Sequence, residues 1–104
     1  MNREKYLPLT ETTYYILLSL LEPAHGYLIM KRVEELSNQN VVIAAGTLYG
    51  AIENLSKQKL IKSVESDNKR RKIYVITDKG KEVLKLDYQR MQTLIDITDK
   101  LLNE

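Results

Sequence analysis

The chain has 104 residues, 43% of them hydrophobic, which is enough for one domain with a single core but too little for two. It contains no cysteine, which excludes disulfides and thiolate chemistry and fits a reducing, cytoplasmic location. The net charge is only +2, but nine basic and four acidic residues lie between positions 46 and 81. This concentration of positive charge would attract a nucleic-acid backbone, although a hydrated surface could carry the same charge.

Membrane insertion and catalysis find no support in the sequence. The N-terminal residues MNREKYLPLTETTYY lack a long apolar segment, and the apolar run 16–21 is too short to cross a bilayer. The chain has no phosphate-binding glycine loop, nucleophile elbow or metal-binding helix motif. His25 is the single histidine, and no paired carboxylate lies near it in the sequence. We therefore expect no membrane contact, no enzymatic activity, no cofactor and no metal.

The first two predicted helices bring one apolar face each to the core. The first is capped by Thr10 and ends at Glu22-Pro23, and the second opens at the tripeptide HGY (25–27) and ends in SNQN (37–40). Apolar residues recur at helical spacing in both: Tyr14, Leu17, Leu18 and Leu21, then Ile29, Val33 and Leu36. His25 is expected at the helix start, contacting backbone or a phosphate.

A short β-prone run at 41–43 is predicted to precede a third helix at about 47–58. Its inner stripe is Leu48, Ala51, Ile52 and Leu55, and its outer face carries Thr47, Gly50, Asn54 and Lys57. Small or polar residues near its start would let the backbone approach DNA: Gly46, Thr47, Tyr49, Gly50, Ala51 and Asn54. The helix is therefore a candidate recognition helix, or else an ordinary amphipathic helix with a hydrated outer face.

Two strands are predicted at 60–66 and 72–77, joined by turn residues at 67–70. The hairpin carries four adjacent cations at its tip: Lys69, Arg70, Arg71 and Lys72. Four neighbouring cations cannot all pair locally, so they suit DNA phosphates or an adjacent minor groove. A turn that only increases solubility is the alternative.

The last helix is predicted to be capped by Thr77 or Asp78. Its apolar stripe alternates by four and three residues and is widened at two positions. So apolar a helix at the end of a small domain needs a packing partner, and a second copy of the chain is the simplest one. The predicted dimer interface is Leu84, Tyr88, Met91, Leu94, Ile95, Thr98, Leu101 and Leu102.

The order of elements predicts a winged helix-turn-helix: mainly α with a small β-hairpin (α+β), plus a long C-terminal dimerisation helix. The winged part is expected at 1–78 and the dimerisation helix at 79–104, within one compact unit. The sequence has seven tyrosines and neither tryptophan nor phenylalanine. Most tyrosines are expected at the core and its edges, and some could line a ligand cavity or touch DNA.

Three segments in the right order resemble the PadR family of transcriptional regulators: LTETTYYILLSLLEPAHGYLIMKRVEEL, GTLYGAIENLSKQKLI and RRKIYVITDKGKEVL. The resemblance covers nearly the whole chain from Leu9 onward. It implies a dimeric repressor that releases its operator when a small molecule or another signal arrives. The single last helix is similar to that of the small subfamily, which dimerises through this helix together with the first one.

The resemblance also implies site residues. Multidrug-sensing members carry an aromatic residue midway along the last helix, where this chain has Met91, which lacks a flat stacking surface and counts against that kind of sensing. Tyr15, Tyr88 and Met91 remain the candidate effector pocket. The predicted DNA contacts are Tyr15, His25, Gly26, Tyr27, Gly46, Thr47, Leu48, Tyr49, Gly50, Asn54, Lys57, Lys69, Arg70, Arg71 and Lys72.

The predicted function is sequence-specific binding of double-stranded DNA by a homodimer, with the third helix of each copy in a major groove and the wings on flanking phosphates. Half-sites about one helical turn, ~34 Å, apart would form an inverted repeat. Partners would be DNA, a second copy and a small-molecule effector. Two other classes stay open: a winged-helix protein-interaction module, and a small-molecule-binding dimer without a regulatory role.

Overall fold

The computed structural model of the protein describes residues 3–66 and 71–103. After a 3-10 turn at Arg3–Tyr6, the order is α1 (Glu11–Ser19), β1 (Ala24–His25), α2 (Gly26–Leu36), α3 (Ala45–Lys57), β2 (Ile61–Val64), β3 (Ile73–Ile76) and α4 (Asp78–Leu102). The strands form one antiparallel sheet in the order β1-β3-β2. The predicted fold class, a winged helix-turn-helix with a long last helix, is confirmed.

Side-chain caps fix where the helices begin. The Thr10 hydroxyl accepts a hydrogen bond from the Thr13 amide (3.1 Å), and the Thr77 hydroxyl accepts one from the Gly80 amide (3.0 Å). The predicted cap at Thr10 is confirmed, and Thr77, not Asp78, caps α4. At the other end of α1, Arg32 donates to the carbonyls of Ser19 (2.8 Å) and Glu22 (2.9 Å). α1 ends at Ser19, earlier than predicted, and Arg32 satisfies the Ser19 carbonyl because Pro23, four residues later, has no N–H to donate to it.

The predicted strand at 41–43 is wrong. Val41 and Ile43 are buried and Val42 is exposed, so the segment alternates like a strand, but it joins no sheet. The Val41 amide donates to the Ser37 hydroxyl (3.0 Å), which holds the segment beside the end of α2. The third strand is instead β1, whose Ala24 lies opposite Tyr74 in β3. Two residues are too short to produce a periodic signal in the sequence.

A single core lies between the first three helices, the sheet and the first turns of α4. The periodic apolar residues of each predicted helix supply most of it, because each stripe turns toward the same centre. The side chains with no exposed surface are Ile16, Leu17, Leu20, Ile29, Val33, Leu48 and Val83.

The end of α3 is fastened to the start of α4 by three hydrogen bonds, which together we call the α3–α4 junction. The Thr77 hydroxyl donates to the Lys59 carbonyl (2.7 Å), the Thr77 amide to the Leu60 carbonyl (3.0 Å), and the Lys79 ammonium to the Gln58 carbonyl (2.9 Å). Gly80 packs so closely on Leu60 that an added Cβ would overlap the Leu60 carbonyl oxygen. The recognition-helix candidate and the last helix are therefore held in a fixed relation.

The N-terminal turn supports the same junction. The Lys79 ammonium lies 4.9 Å from the centre of the Tyr6 ring, within cation–π distance. Hydrogen bonding to Lys79, with its positive charge and that of Lys5, lowers the pKa of Tyr6 below its ordinary value, although partial burial opposes the shift.

Within residues 3–66 and 71–103, no helix is long and apolar enough to cross a membrane.

Candidate nucleic-acid interface

The outward face of α3 is flat at its beginning and carries longer side chains toward its end. Gly46, Gly50, Glu53 and Lys57 follow the spacing of one helical stripe, and all four are exposed. A Cβ added at Gly46 or Gly50 would meet nothing within 4 Å. Thr47 and Asn54 are exposed beside this stripe, so the predicted outer face of the helix is confirmed. Another molecule can approach the α3 backbone closely.

The N-terminus of α3 is suited to anions. Its N-cap is Ala44, whose methyl side chain cannot accept the first-turn N–H groups. Uncapped N–H groups and the positive end of the helix dipole together favour a phosphate. Ala44, Ala45 and Gly46 are all exposed, so a phosphate could reach these groups.

The start of α2, the recognition-helix candidate and the wing enclose one groove of about 660 Å³, which we call the wing groove. Its lining contains six of the predicted DNA contacts, with Tyr74 added: His25, Gly26, Tyr27, Tyr49, Arg71 and Lys72. These residues come from four separate segments of the sequence. The fold therefore collects them at one surface.

Gly26 lies directly beneath the side chain of Tyr49. A Cβ built on Gly26 would lie 2.6 Å from the Tyr49 hydroxyl oxygen and 3.0 Å from the ring, closer than such contacts occur. The Tyr49 ring thus lies directly over the first residue of α2, and Tyr49 still has 53% of its surface exposed. Through this contact α2 and α3 approach each other at the wing groove.

His25 performs the backbone role that its position predicts. It is the N-cap of α2, and its Nδ1 accepts a hydrogen bond from the Leu28 amide at 3.3 Å. Its ring stacks with that of Tyr27 at 6.5 Å between centroids and 20° between planes. Tyr27 is 69% exposed. Among residues 3–66 and 71–103 no cluster of side chains could hold a metal ion, and His25 belongs to none.

Tyr74 packs at the edge of the core, as the sequence predicted, and it also lines the wing groove. Burial, and to a lesser extent the neighbouring Tyr49, raise the pKa of Tyr74 above its ordinary value. Its hydroxyl therefore stays protonated at neutral pH and can donate a hydrogen bond. The strand pattern could have indicated this residue, because alternate residues of β3 face opposite sides of the sheet.

A second, larger groove of about 1030 Å³ runs beside the wing between the end of α3 and the hairpin. It adds two lysines that the motifs did not single out, Lys59 and Lys62, to Arg71 and Lys72. All four are exposed. The sequence showed these bases only as part of the charge excess at 46–81. Pairing of β2 with β3 brings Lys62 opposite Val75 and so onto the wing.

Several predicted DNA contacts have other surroundings. Leu48 is wrong as a DNA contact, because it is fully buried and belongs to the core stripe of α3. Tyr15 lines neither groove beside the wing. The Lys57 ammonium is paired with the Glu53 carboxylate one turn earlier at 3.3 Å. Lys69 and Arg70 lie outside the described residues, so their contact with DNA stays a prediction.

A third groove, of about 390 Å³, separates α3 from the N-terminal segment. Gly50 and Asn54 line it from the helix, and Pro8, Thr10 and Thr13 line it from the other side. Asn54 therefore lies on the flank of α3 opposite Tyr49, and the stripe through Gly46, Gly50 and Glu53 runs between the two flanks.

The residues of the predicted dimer interface differ in exposure between the first and the second half of α4. Leu84 is wrong as an interface residue, because it is 8% exposed and packs in the core of its own chain. Met91 is partly buried, and Tyr88 and every residue from 92 to 103 are exposed. The exposed apolar residues are Tyr88, Leu94, Ile95, Leu101 and Leu102, together with Ile97, which the stripe did not include.

The predicted effector pocket is partly assembled. Tyr15 and Met91 line a groove of about 420 Å³ between α1 and α4, but Tyr88 does not line it. The groove also contains Tyr14 and Asp87, whose carboxylate is 1% exposed and accepts a hydrogen bond from the Arg90 guanidinium at 2.7 Å. Burial, and then the nearby Asp87, raise the pKa of Tyr14.

A helix-turn-helix pair followed by a basic wing defines the class of winged-helix regulators. Within that class, the model for the Transcriptional regulator PadR-like family matches residues 16–86, which is more than half of the chain. The chain therefore belongs to the PadR-like family of transcriptional regulators, and the resemblance in its sequence is confirmed.

Solved structures agree with this assignment. A transcriptional regulator from Clostridium thermocellum is 30% identical, with a TM-score of 0.74 over 86% of this chain and 87% of that one. A PadR family transcriptional regulator from Eggerthella lenta is 32% identical, with a TM-score of 0.70 over 96% of this chain and 84% of that one. Both solved structures are of transcriptional regulators.

A curated relative contains a similar segment within a longer protein. An uncharacterized 37.1 kDa protein in transposon TN4556 of Streptomyces fradiae is 31% identical over 72 residues. These residues are 69% of this chain and 20% of that protein. The chain spans about one fifth of the length of this relative.

Proposed function

We propose that the protein is a homodimeric repressor that binds an inverted-repeat operator in double-stranded DNA. The observation that carries this proposal is the surface formed by the outward face of α3 and the wing groove. It combines a closely approachable helix backbone, exposed cations and tyrosine hydroxyls, which are the groups that contact phosphates and base edges.

In the proposed complex, α3 lies in the major groove. The glycines at its start bring its backbone near the DNA, and the uncapped N-terminus receives a phosphate. Arg71 and Lys72, with Lys62 beside them, contact phosphates that flank the groove. His25 and Tyr27 lie at the other edge of the wing groove, where the DNA backbone would pass.

The far half of α4 supports the dimer. Leu94, Ile95, Leu101 and Leu102 each have at least 50% of their surface exposed, and Thr98 lies among them on the same stripe. Leucines and isoleucines left exposed in a row would favour association, and a second α4 offers a matching stripe under two-fold symmetry. Two recognition helices about one DNA turn, ~34 Å, apart would then read the two halves of an inverted repeat.

An effector is proposed for the groove between α1 and α4. Tyr15 and Met91 provide an apolar lining, and the dimer partner would cover the open side near Tyr88. A ligand there would act by binding one spacing of the two recognition helices better than another, since only a difference in affinity shifts the equilibrium.

DNA binding is tested by fluorescence anisotropy on random duplex DNA and on the DNA upstream of the gene for this protein, over a series of salt concentrations. The variant Arg71→Gln/Lys72→Gln should bind all duplexes more weakly, with a salt slope reduced by about one per lost phosphate contact and per protomer. The control Lys85→Gln/Lys100→Gln removes the same charge from exposed positions of α4 outside the wing. It should leave the slope nearly unchanged.

Two outcomes would contradict the proposal. Binding by the native protein that does not depend on salt, or no binding at all, would favour the interaction-module class. Equal loss in both double variants would mean that net charge, and not the wing, carries the affinity. A change of sequence preference alone in the Arg71/Lys72 variant would contradict the assignment of the wing to phosphates.

A further inference from the structure

The recognition-helix candidate carries one acidic residue, Glu53, and nothing in the proposed function explains it. We propose that Glu53 determines sequence specificity by accepting a hydrogen bond from the exocyclic N4 amine of a cytosine in the major groove of each half-site. This inference rests on the proposed insertion of α3 into DNA and adds the identity of a base and of the residue that reads it.

Glu53 lies on the outward face of α3. It lies on the stripe of Gly46, Gly50 and Lys57, which points away from the buried residues Leu48, Ile52 and Leu55. One flank of this stripe carries Tyr49 in the wing groove, and the other carries Asn54 in the groove with the N-terminal segment. Glu53 is therefore at the centre of the surface that would face the base pairs.

The side chain of Glu53 can reach further toward the DNA than its neighbours on the stripe can. The stripe has no side chain at Gly46 and Gly50, so the α3 backbone can approach the DNA at these positions. Glu53 follows directly on the stripe, and its side chain is 70% exposed. A long acceptor next to two glycines would extend past the backbone plane and meet base edges before the rest of the helix does.

Lys57 compensates the negative charge of Glu53. A carboxylate facing a polyanion is unfavourable unless a donor or a cation compensates it. Lys57 lies one turn later with its ammonium 3.3 Å from the carboxylate, which offsets the charge and orients the oxygens. Both side chains are more than two-thirds exposed, so the pair adds little to folding. The pair therefore acts in DNA contact, where Lys57 compensates the charge of Glu53, more than in folding.

The four bases present different hydrogen-bonding groups to a carboxylate in the major groove. Cytosine presents its N4 amine as a donor in the major groove, whereas guanine presents only acceptors there and thymine an acceptor and a methyl group. Adenine presents a donor beside the N7 acceptor, which would repel the second carboxylate oxygen. Among the four bases, cytosine suits a carboxylate best.

The test is selection of duplexes from a randomised pool by the native protein, by Glu53→Gln and by the control Glu65→Gln. Glu65 is an exposed acid near the wing, so its replacement changes the net charge equally. The native protein should select cytosine at one position in each half-site by about tenfold over other bases. Glu53→Gln should lose that preference and shift it to adenine, which Gln can pair through both of its polar atoms. Glu65→Gln should select as the native protein does.

Electrostatic repulsion without base reading gives a different result. In that case Glu53→Gln would bind every duplex more tightly and keep the native preferences, which would overturn the inference. Native selectivity without a cytosine that depends on Glu53 would overturn it as well, while leaving DNA binding intact. No selection by the native protein would instead contradict the proposed function on which the inference rests.

Discussion

The two halves of α4 have the same kind of sequence and opposite surroundings. In residues 78–87, Gly80, Val83, Leu84 and Asp87 are buried against the rest of the chain. In residues 92–102 every residue is exposed, although leucines and isoleucines recur at similar spacing. The difference shows that an apolar helical stripe predicts packing but does not identify the packing partner. For the near half, residues 78–87, the partner is the rest of the same chain.

The far half has no such partner within the described chain, and a second copy is the partner we propose. Changes in the near half should therefore affect folding, and changes in the far half should affect association. This contrast can be tested directly, from the largest expected effect to the smallest.

Gly80→Ala should have the largest effect, because its methyl group would overlap the Leu60 carbonyl oxygen and approach Ile76. Overpacking against backbone cannot be relieved by a rotamer change, so we expect a loss of about 3 kcal/mol in the free energy of unfolding. Urea denaturation at one protein concentration measures it. Gly50→Ala, where the methyl group meets open space, is the control and should be neutral or stabilising by about 1 kcal/mol. Equal stability of both variants would contradict the packing at the α3–α4 junction.

Leu94→Glu/Leu101→Glu should leave each protomer folded and dissociate the dimer, because it places charges in the proposed interface. The helical circular dichroism signal should persist while sedimentation shows monomers. Operator affinity should fall by about 100-fold, since the two recognition helices would no longer be joined.

The matched control is Thr93→Glu/Lys100→Gln, which makes the same change of −2 in net charge on the other side of the same part of α4. This variant should remain dimeric. Dissociation of both variants, or of neither, would contradict the assignment of the Leu94 and Leu101 side of α4 to the interface.

Lys79→Met should have the smallest effect, and it should change both the free energy of unfolding and the recognition of the operator. Its ammonium donates to the Gln58 carbonyl at the end of α3, and a hydrogen bond from a charged group contributes about 2 kcal/mol. Because exposure to solvent weakens this bond, we expect a loss of about 1 kcal/mol in unfolding and a reduced preference for operator over random DNA, with the dimer unchanged. Lys81→Met, an exposed position two residues later, should change neither quantity. A loss of dimerisation in Lys79→Met would contradict a role confined to the α3–α4 junction.

The sequence predicted the elements that repeat a periodic pattern and missed those that do not. Thr10 as a cap, the stripe of α3 and the hairpin were all predicted, because caps, turns and apolar periods are local signals. The strand at 41–43 was wrong because alternation of buried and exposed residues also occurs in an extended loop beside a core. Leu48 and Leu84 were wrong as contacts because a motif or a stripe does not state which partner covers each residue.

The candidate site likewise has features that the sequence predicted and features that it missed. The basic wing and the GTLY and HGY segments were visible as sequence, but the wing groove that unites Tyr49, Gly26 and Arg71 was not. Tyr74 and Lys62 reached this surface through strand pairing, which depends on contacts between residues far apart in the chain.

By itself, therefore, the sequence determined the helices, the turn chemistry, the charge of the middle third and the family. The tertiary structure decided the rest: β1 as the third strand, the approach of Tyr49 over Gly26, the central position of Glu53, and the burial of the near half of α4 beside the exposure of its far half. The physical reason is that periodicity and capping act within a few residues, whereas burial and groove formation depend on which surfaces meet when the whole chain packs.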